Sequence, residues 1–111
     1  MKNYVMSGEK VEVAAPYDVL SGGGALVGSL FGIAQADALS GKTAVLLTRG
    51  VVDMAKTSAQ AWTVGVRIYW DDSAKVATTT ASTNKLIGVA LEAAANPSAV
   101  GRVLLSGAFT I

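Results

Sequence analysis

Short stretches of alternating apolar and polar residues dominate the chain. In residues 10–13 and 66–70, every second residue is apolar. A period of two is typical of a β-strand with one buried face. Gly, Ser, Asn and Asp, which favour turns, separate these stretches from the next. The pattern therefore predicts short strands joined by tight turns.

About eight to ten short strands are predicted, at the spacing expected of a small β-barrel or β-sandwich. Arg49 and Gly50 interrupt one apolar segment, so residues 43–54 form either two strands or one bulged strand. A turn at residues 71–73 joins 66–70 to 76–80 as a hairpin. The remaining predicted strands are 25–27, 86–91, 102–105 and 108–111.

Helix is predicted to be scarce. Residues 54–62 contain enough helix formers for one short turn, and those in 91–98 are stopped by Asn96 and Pro97. Elsewhere Gly or Thr interrupts every candidate helix within two turns. We therefore expect an all-β chain in which residues 1–111 form a single domain.

An internal repeat runs through the sequence. Residues 30–34, Leu-Phe-Gly-Ile-Ala, return as residues 86–90, Leu-Ile-Gly-Val-Ala. Further on, residues 46–52 correspond to residues 103–109, and residues 24–27 correspond loosely to residues 65–68. Two copies of one strand–turn–strand unit would explain this repeat. A glycine inside each copy of the strand predicts a bulge or a close approach of two backbones.

Composition excludes several classes of function. The 111 residues include no Cys and no His, which excludes thiol nucleophiles, His-based triads and disulfides, and we expect no cofactor. The net charge is only +1, and the basic residues are scattered along the chain instead of clustered. Both facts argue against a nucleic-acid partner. No apolar run is long enough to span a membrane, and the first residues lack a signal-peptide core. Synthesis in a cytosol is expected.

Residues 36–43, Ala-Asp-Ala-Leu-Ser-Gly-Lys-Thr, match a loose form of the phosphate-binding P-loop. A P-loop opens a helix whose first N–H groups hold the phosphates. The residues after Lys42 are instead strand-like. We therefore interpret residues 40–42 as a turn in which Gly41 supplies a positive φ angle. The glycine-rich residues 21–24 are likewise interpreted as a turn.

The adjacent carboxylates Asp71 and Asp72 raise the possibility of a site for Ca²⁺ or Mg²⁺. Such a site needs about six oxygen ligands. Because the pair precedes Ser73 within the predicted hairpin, we favour a role in the turn itself, and we assign no metal site.

Aromatic residues are the candidates for contact with other proteins, since Trp and Tyr are enriched at interfaces. Alternation places Trp70 on the buried face of its strand and Tyr69 on the opposite face. Trp62 and Tyr69 are therefore candidate subunit or capsid contacts.

The N-terminal residues 1–8 are a possible arm with three apolar candidates for contact, Tyr4, Val5 and Met6. Such an arm forms a first strand of its own domain or adds a strand to a neighbour.

Taken in order, these segments resemble the phage capsid cement, or head decoration, proteins, a family formerly listed as a domain of unknown function. The resemblance covers residues 1–16, 21–56, 65–80, 84–95 and 102–109, and its most distinctive part is 65–72 followed by 86–92. Members of this family have also carried a label as RecA-type recombinases. The expected turn at Lys42 argues against that label here.

The resemblance implies a mostly β virion protein on the outside of an icosahedral head, commonly trimeric. Such proteins join neighbouring major capsid protein subunits after the shell expands. The implied partners are that protein and further copies of this chain, with no catalytic residue. The alternatives are a nucleotide-dependent recombination protein and a β-domain of a phage tail or baseplate.

Overall fold

Strands account for all the regular structure of the computed structural model, which describes residues 10–106. Within these residues no helix is present, and so none that could cross a membrane. The strands are β1 (Lys10–Ala14), β2 (Gly24–Val27), β3 (Leu30–Ala34), β4 (Thr43–Leu47), β5 (Arg49–Ala55), β6 (Arg67–Asp71), β7 (Val76–Thr78), β8 (Lys85–Ala90) and β9 (Val100–Ser106).

The strands form two antiparallel sheets. Sheet 1 has the order β1-β4-β3-β2, and sheet 2 has the order β5-β9-β8-β6-β7. Thr48 alone separates β4 from β5, so the chain crosses from one sheet to the other there. The sheets are not closed into a barrel and pack in a sandwich-like arrangement. The all-β prediction is confirmed.

Some local predictions need correction. No helical turn forms in 54–62, because β5 continues through Ala55 and Trp62 forms a β-bridge with Ala94. The helix formers of 91–98 are likewise non-helical. Residues 43–54 form two strands, and the break falls at Thr48 instead of Arg49 and Gly50. The predicted strand 108–111 and the arm 1–8 lie outside the described residues.

The internal repeat is structural. In sheet 1 the order β1-β4-β3-β2 matches β5-β9-β8-β6 in sheet 2, and β7 is an addition. The carbonyls of Ala34 and Ala90 occupy matching places, accepting N–H bonds from Gly22 and Gly65 at 2.8 Å each. The two sheets are therefore built from one backbone plan used twice.

Gly32 and Gly88, the glycines at the centre of the repeated strand, lie where neighbouring backbones approach closely. A Cβ atom on Gly32 would lie 3.0 Å from the carbonyl oxygen of Leu47. A Cβ atom on Gly88 would overlap the carbonyl oxygen of Leu104. The prediction of a close approach is confirmed at both positions. Any larger residue would push the next strand away.

Two clusters of apolar side chains form the core. The larger lies between the sheets, where the rings of Phe31 and Trp70 have centroids 5.1 Å apart. Trp70 is buried there, as its place in the alternation predicts. The smaller cluster lies on the other face of sheet 1 and consists mostly of small side chains: Ala15, Val19, Ala25, Ala34, Ala44 and Leu46.

Candidate interaction surface

The P-loop-like octapeptide forms a turn followed by a strand. The N–H of Lys42 donates to the carbonyl of Leu39 at 2.9 Å, and Gly41 has a φ of +83°. The Gly41 N–H itself donates to Ala15 at 2.9 Å. β4 begins at Thr43, so no helix opens behind the lysine. The predicted turn is confirmed, and the segment lacks the strand-to-helix context that phosphate binding requires.

Asp71 and Asp72 are both hydrogen-bonded within the protein. Asp71 Oδ1 accepts the N–H groups of Ser73 at 3.0 Å and Ala74 at 3.2 Å, which fixes the β6–β7 turn. Asp72 Oδ1 accepts the indole N–H of Trp70 at 3.0 Å. The predicted role in the turn is confirmed for Asp71, whereas the Asp72 carboxylate binds side chains outside the turn. In the described part of the chain, no three acidic side chains gather in a way that could hold a metal.

Asp72 also connects the two sheets through Tyr17. The Tyr17 hydroxyl donates to Asp72 Oδ1 at 2.7 Å and accepts the N–H of Leu26, in β2, at 3.1 Å. The Lys75 ammonium lies 3.5 Å from Asp72 Oδ1 and 4.0 Å from the centroid of the Tyr17 ring. The β6–β7 turn is therefore tied to sheet 1 by a polar cluster.

Both acidic groups of this cluster have shifted pKa values. Burial, with the Asp72 hydrogen bond, raises the pKa of Tyr17 to about 12. Burial opposes ionisation of Asp72, but hydrogen bonds from Tyr17 and Trp70, together with Lys75, outweigh it and lower the Asp72 pKa. The folded protein thus favours a neutral tyrosine bonded to an ionised carboxylate.

The outer face of sheet 2 carries an exposed apolar row. Val51 on β5 lies opposite Leu104 on β9, which lies opposite Val89 on β8. The side chains of Val51 and Leu104 are 49% and 41% exposed. Arg67 on β6 continues the row, and Tyr69 lies two residues further along the same strand, half-buried. The predicted contact residue Tyr69 therefore borders this row on the same face.

A network of charged side chains flanks the apolar row. Arg102, two residues from Leu104, donates to Asp53 Oδ1 at 2.9 Å and lies 2.5 Å from Glu92 Oε2. The hydrogen bond from Arg102 lowers the pKa of Asp53. The side chains of these charged residues are about half exposed. An apolar centre with a polar rim is the usual anatomy of a surface that binds another protein.

The family model described as phage cement protein matches residues 5–105. The chain belongs to the phage cement protein family. No curated protein and no solved structure matches it. The match includes the sequence-predicted residues Val5, Met6, Trp62 and Tyr69 and begins just after Tyr4. The family implies a structural role in stabilising a capsid and a place in the virion.

Trp62 of this cement protein is buried, unlike Tyr69. Its indole packs on Gly101 of β9, where a Cβ atom would overlap the ring. Its backbone exchanges hydrogen bonds of 2.8 and 3.1 Å with Ala94. The indole therefore packs beneath β9, the strand whose outer face carries Leu104. The described structure brings Trp62 and Tyr69 to different sides of sheet 2, and the predicted residues Tyr4, Val5 and Met6 lie outside it.

Lys56 is a structural residue that sequence reasoning missed. Its side chain is only 4% exposed, and its ammonium donates to the carbonyls of Thr57 at 2.9 Å, Ser98 at 3.2 Å and Gln60. The same ammonium lies 5.5 Å from the centroid of the Trp62 ring. An ammonium surrounded by carbonyls holds the loop after β5 against the loop before β9.

The apolar row also escaped prediction, although the sequence contains a signal for it. Val103, Leu104 and Leu105 are consecutive apolar residues in one strand. Because side chains alternate between faces, a strand that buries the first and third must point the second outward. The exposed Leu104 could therefore have been identified from this run.

Replacing Lys56 with Met should lower the free energy of unfolding by roughly 3 kcal/mol, because three part-buried carbonyls lose the charged donor supplied by the buried Lys56 side chain. Lys42→Met is the matched control, since Lys42 is exposed, and should change stability by less than about 0.5 kcal/mol. Urea denaturation measures both. Equal midpoints for the two variants would contradict the structural role of Lys56.

Asp72→Asn should destabilise the protein by about 1 kcal/mol at neutral pH. Because folding lowers the Asp72 pKa, its ionised form stabilises the protein above the unfolded pKa of about 4, and this stabilisation disappears as pH falls through the lower folded pKa. The difference between the wild type and the variant should therefore shrink in acid. Denaturation at neutral and acidic pH measures it.

Tyr17→Phe supplies the control for that experiment. Without the Tyr17 hydroxyl, Asp72→Asn should destabilise the protein less than it does in the wild type, since one bond to the carboxylate is already lost. Strictly additive effects of the two substitutions would show that the hydroxyl and the carboxylate are not energetically coupled.

Proposed function

We propose that this cement protein binds the outside of an icosahedral phage head and stabilises the contacts between neighbouring major capsid protein subunits. The observation that carries the proposal, beyond family membership, is the apolar row in which the exposed Val51 and Leu104 are continued by the half-buried Val89. Apolar side chains exposed side by side and bordered by polar residues are typical of a site for a protein partner. Tyr69 and Arg67 beside the row are residue types enriched at binding hot spots.

A passive role of this kind is sufficient to strengthen a shell. A protein that binds the expanded shell, and not its precursor or its free subunits, stabilises the expanded state by mass action. Each copy needs to contribute only a few kcal/mol when many copies are bound. A cement protein can therefore hold the shell against the pressure of packaged DNA by buried surface alone.

We further propose that the protein acts as a homotrimer on the capsid. Its contacts to the shell or to other copies are assigned to Tyr69 and to the arm 1–8 with Tyr4, Val5 and Met6. Trp62, which is buried, contributes to these contacts indirectly by supporting β9. β1, which follows the arm, is an edge strand of sheet 1, so a chain leaving it has access to a neighbouring molecule. Synthesis in the host cytoplasm precedes assembly onto the virion.

Co-sedimentation with expanded empty heads of the cognate phage tests the proposal. Wild-type protein should pellet with expanded heads, and the double variant Val51→Thr with Leu104→Thr should bind at least about tenfold more weakly, because apolar contact is lost at the centre of the surface. Threonine retains the preference for strand, so the fold should be kept. Val64→Thr, in an exposed turn outside the row, is the matched control.

Several outcomes would count against the proposal. Wild-type protein that stays in the supernatant at saturating concentration would refute head binding, and electron microscopy showing it on the tail or baseplate would favour the alternative location. Electron microscopy of decorated heads that shows the bound copies grouped other than in threes would refute the trimer.

A further inference from the structure

Two loops of the first repeat have the same five-residue pattern, Asp-x-Leu-Ser-Gly. The first occupies residues 18–22, between β1 and β2, and the second occupies residues 37–41, between β3 and β4. The second copy lies within the P-loop-like octapeptide. We call these two segments the twin loops.

The twin loops bind each other reciprocally. Val19 and Ala38 exchange backbone hydrogen bonds of 2.9 and 3.0 Å. Asp18 Oδ1 accepts the N–H of Ser40 at 2.8 Å, and Asp37 Oδ1 accepts the N–H of Ser21 at 2.8 Å. Each aspartate therefore fixes the backbone of the other loop, so the pair has a local two-fold arrangement.

Each loop also ends in the same turn. The carbonyl of Leu20 accepts the N–H of Gly23 at 2.8 Å, just as that of Leu39 accepts the N–H of Lys42 at 2.9 Å. Gly22 has a φ of +86°, close to the +83° of Gly41. These bonds fix the backbone on both sides of the two leucines.

The two leucines are directed into solvent from this fixed frame. Leu20 is 72% exposed and Leu39 is 65% exposed. They occupy equivalent positions on either side of the Val19–Ala38 bridge, where both border one surface cleft, and we call this apolar area the tip. Neither side chain belongs to either core cluster.

The second repeat provides an internal comparison. Its bridge between Trp62 and Ala94 is equivalent to the one between Val19 and Ala38. The positions of the two aspartates and two leucines there hold Ala61, Ala93, Thr63 and Ala95. The bridge therefore forms without carboxylates and without leucines. The fold explains why the first repeat has a bridge but not why it presents two leucines held by two aspartates.

We propose that the twin-loop tip is a preformed docking element, and that its two leucines insert into an apolar pocket with a basic rim on a capsid protein. The inference rests on the proposed function and names one contact within it. The contact is distinct from the apolar row of sheet 2. Because the reciprocal hydrogen bonds already fix the loops, binding would require little ordering of the backbone.

The charge of the tip favours a capsid protein with a basic rim over a second copy of this chain as the partner. Asp18 and Asp37 flank the leucines, and the nearby basic residue Lys75 is already paired with Asp72 at 3.5 Å. A tip-to-tip dimer would bring four carboxylates together, which is unfavourable, whereas a basic rim is complementary. Two leucines also bury far less than the roughly 800 Å² per partner of a stable interface. The tip therefore fits one contact among several on a larger partner.

The leucine test uses the full chain and purified expanded heads. Leu20→Ser with Leu39→Ser should weaken head binding at least tenfold without changing the thermal unfolding midpoint, because both side chains are already in water. Val64→Ser is the matched control: Val64 is 67% exposed and lies in the equivalent turn of the second repeat. Its binding should stay within twofold of wild type.

The charge test uses Asp18→Asn with Asp37→Asn. Each amide keeps an oxygen that can accept the N–H bond of the opposite loop, but the charge is removed. Head binding should weaken severalfold at low salt and depend less on salt than wild-type binding does. An unchanged salt dependence would overturn the basic rim.

The outcomes separate this inference from the proposed function. Wild-type binding with an unaffected leucine variant would overturn the docking tip and leave the proposed function standing. Equal losses in the leucine variant and in Val64→Ser would also overturn it. Failure of the wild type to bind heads would overturn both. A leucine variant that loses self-association in sedimentation, while still binding heads, would show that the tip contacts a second copy instead.

Discussion

The packing of Trp70 between the two sheets is the contact on which the structure depends. A sheet with one apolar face must bury that face against another element, and here each sheet does so against the other. Trp70 contacts Phe31 across the interface, and Gly24 leaves the space that its ring occupies, since a Cβ there would lie 2.7 Å from the indole. Its N–H is bonded to Asp72, which Tyr17 links back to sheet 1. This contact, with the rest of the larger core cluster, fixes the apolar row of sheet 2 relative to the twin loops of the first repeat.

The two repeats share a backbone plan but use it differently. The first packs small side chains such as Ala34 and Ala44 behind its sheet and presents Leu20 and Leu39 outward. The second repeat has Trp62 in the corresponding place. Only a glycine fits at position 101, because a Cβ atom there would overlap the Trp62 ring. The repeated plan thus provides two sheets, and their different side chains give the first repeat the proposed docking tip and the second repeat a bulky core residue. Because the backbone hydrogen bonds do not depend on these side chains, the two repeats can keep the same plan while their side chains differ.

Local features of this protein could be predicted from the sequence, whereas long-range ones could not. Alternation identified β6 and placed Trp70 inward and Tyr69 outward, because neighbouring residues of one strand suffice for that inference. The internal repeat implied two copies of one strand–turn–strand unit, although not that each copy forms a sheet of its own, and the glycine before Lys42 implied a turn. Burial of Lys56 was not predictable, because one of the carbonyls that receives its ammonium belongs to Ser98. The link from Tyr17 to Asp72 likewise joins residues far apart in the chain.

The P-loop-like segment shows why a short motif needs its structural context. In a nucleotide-binding protein the glycine and lysine serve a helix that begins beside them, and the N–H groups there remain open for phosphate. Here the N–H of Gly41 is bonded to Ala15, and the N–H of Ser40 is bonded to Asp18. Backbone donors that already bind protein acceptors cannot also cradle a phosphate without dismantling the turn. The hydrogen bonds that make the tip rigid are therefore the same ones that remove the nucleotide site.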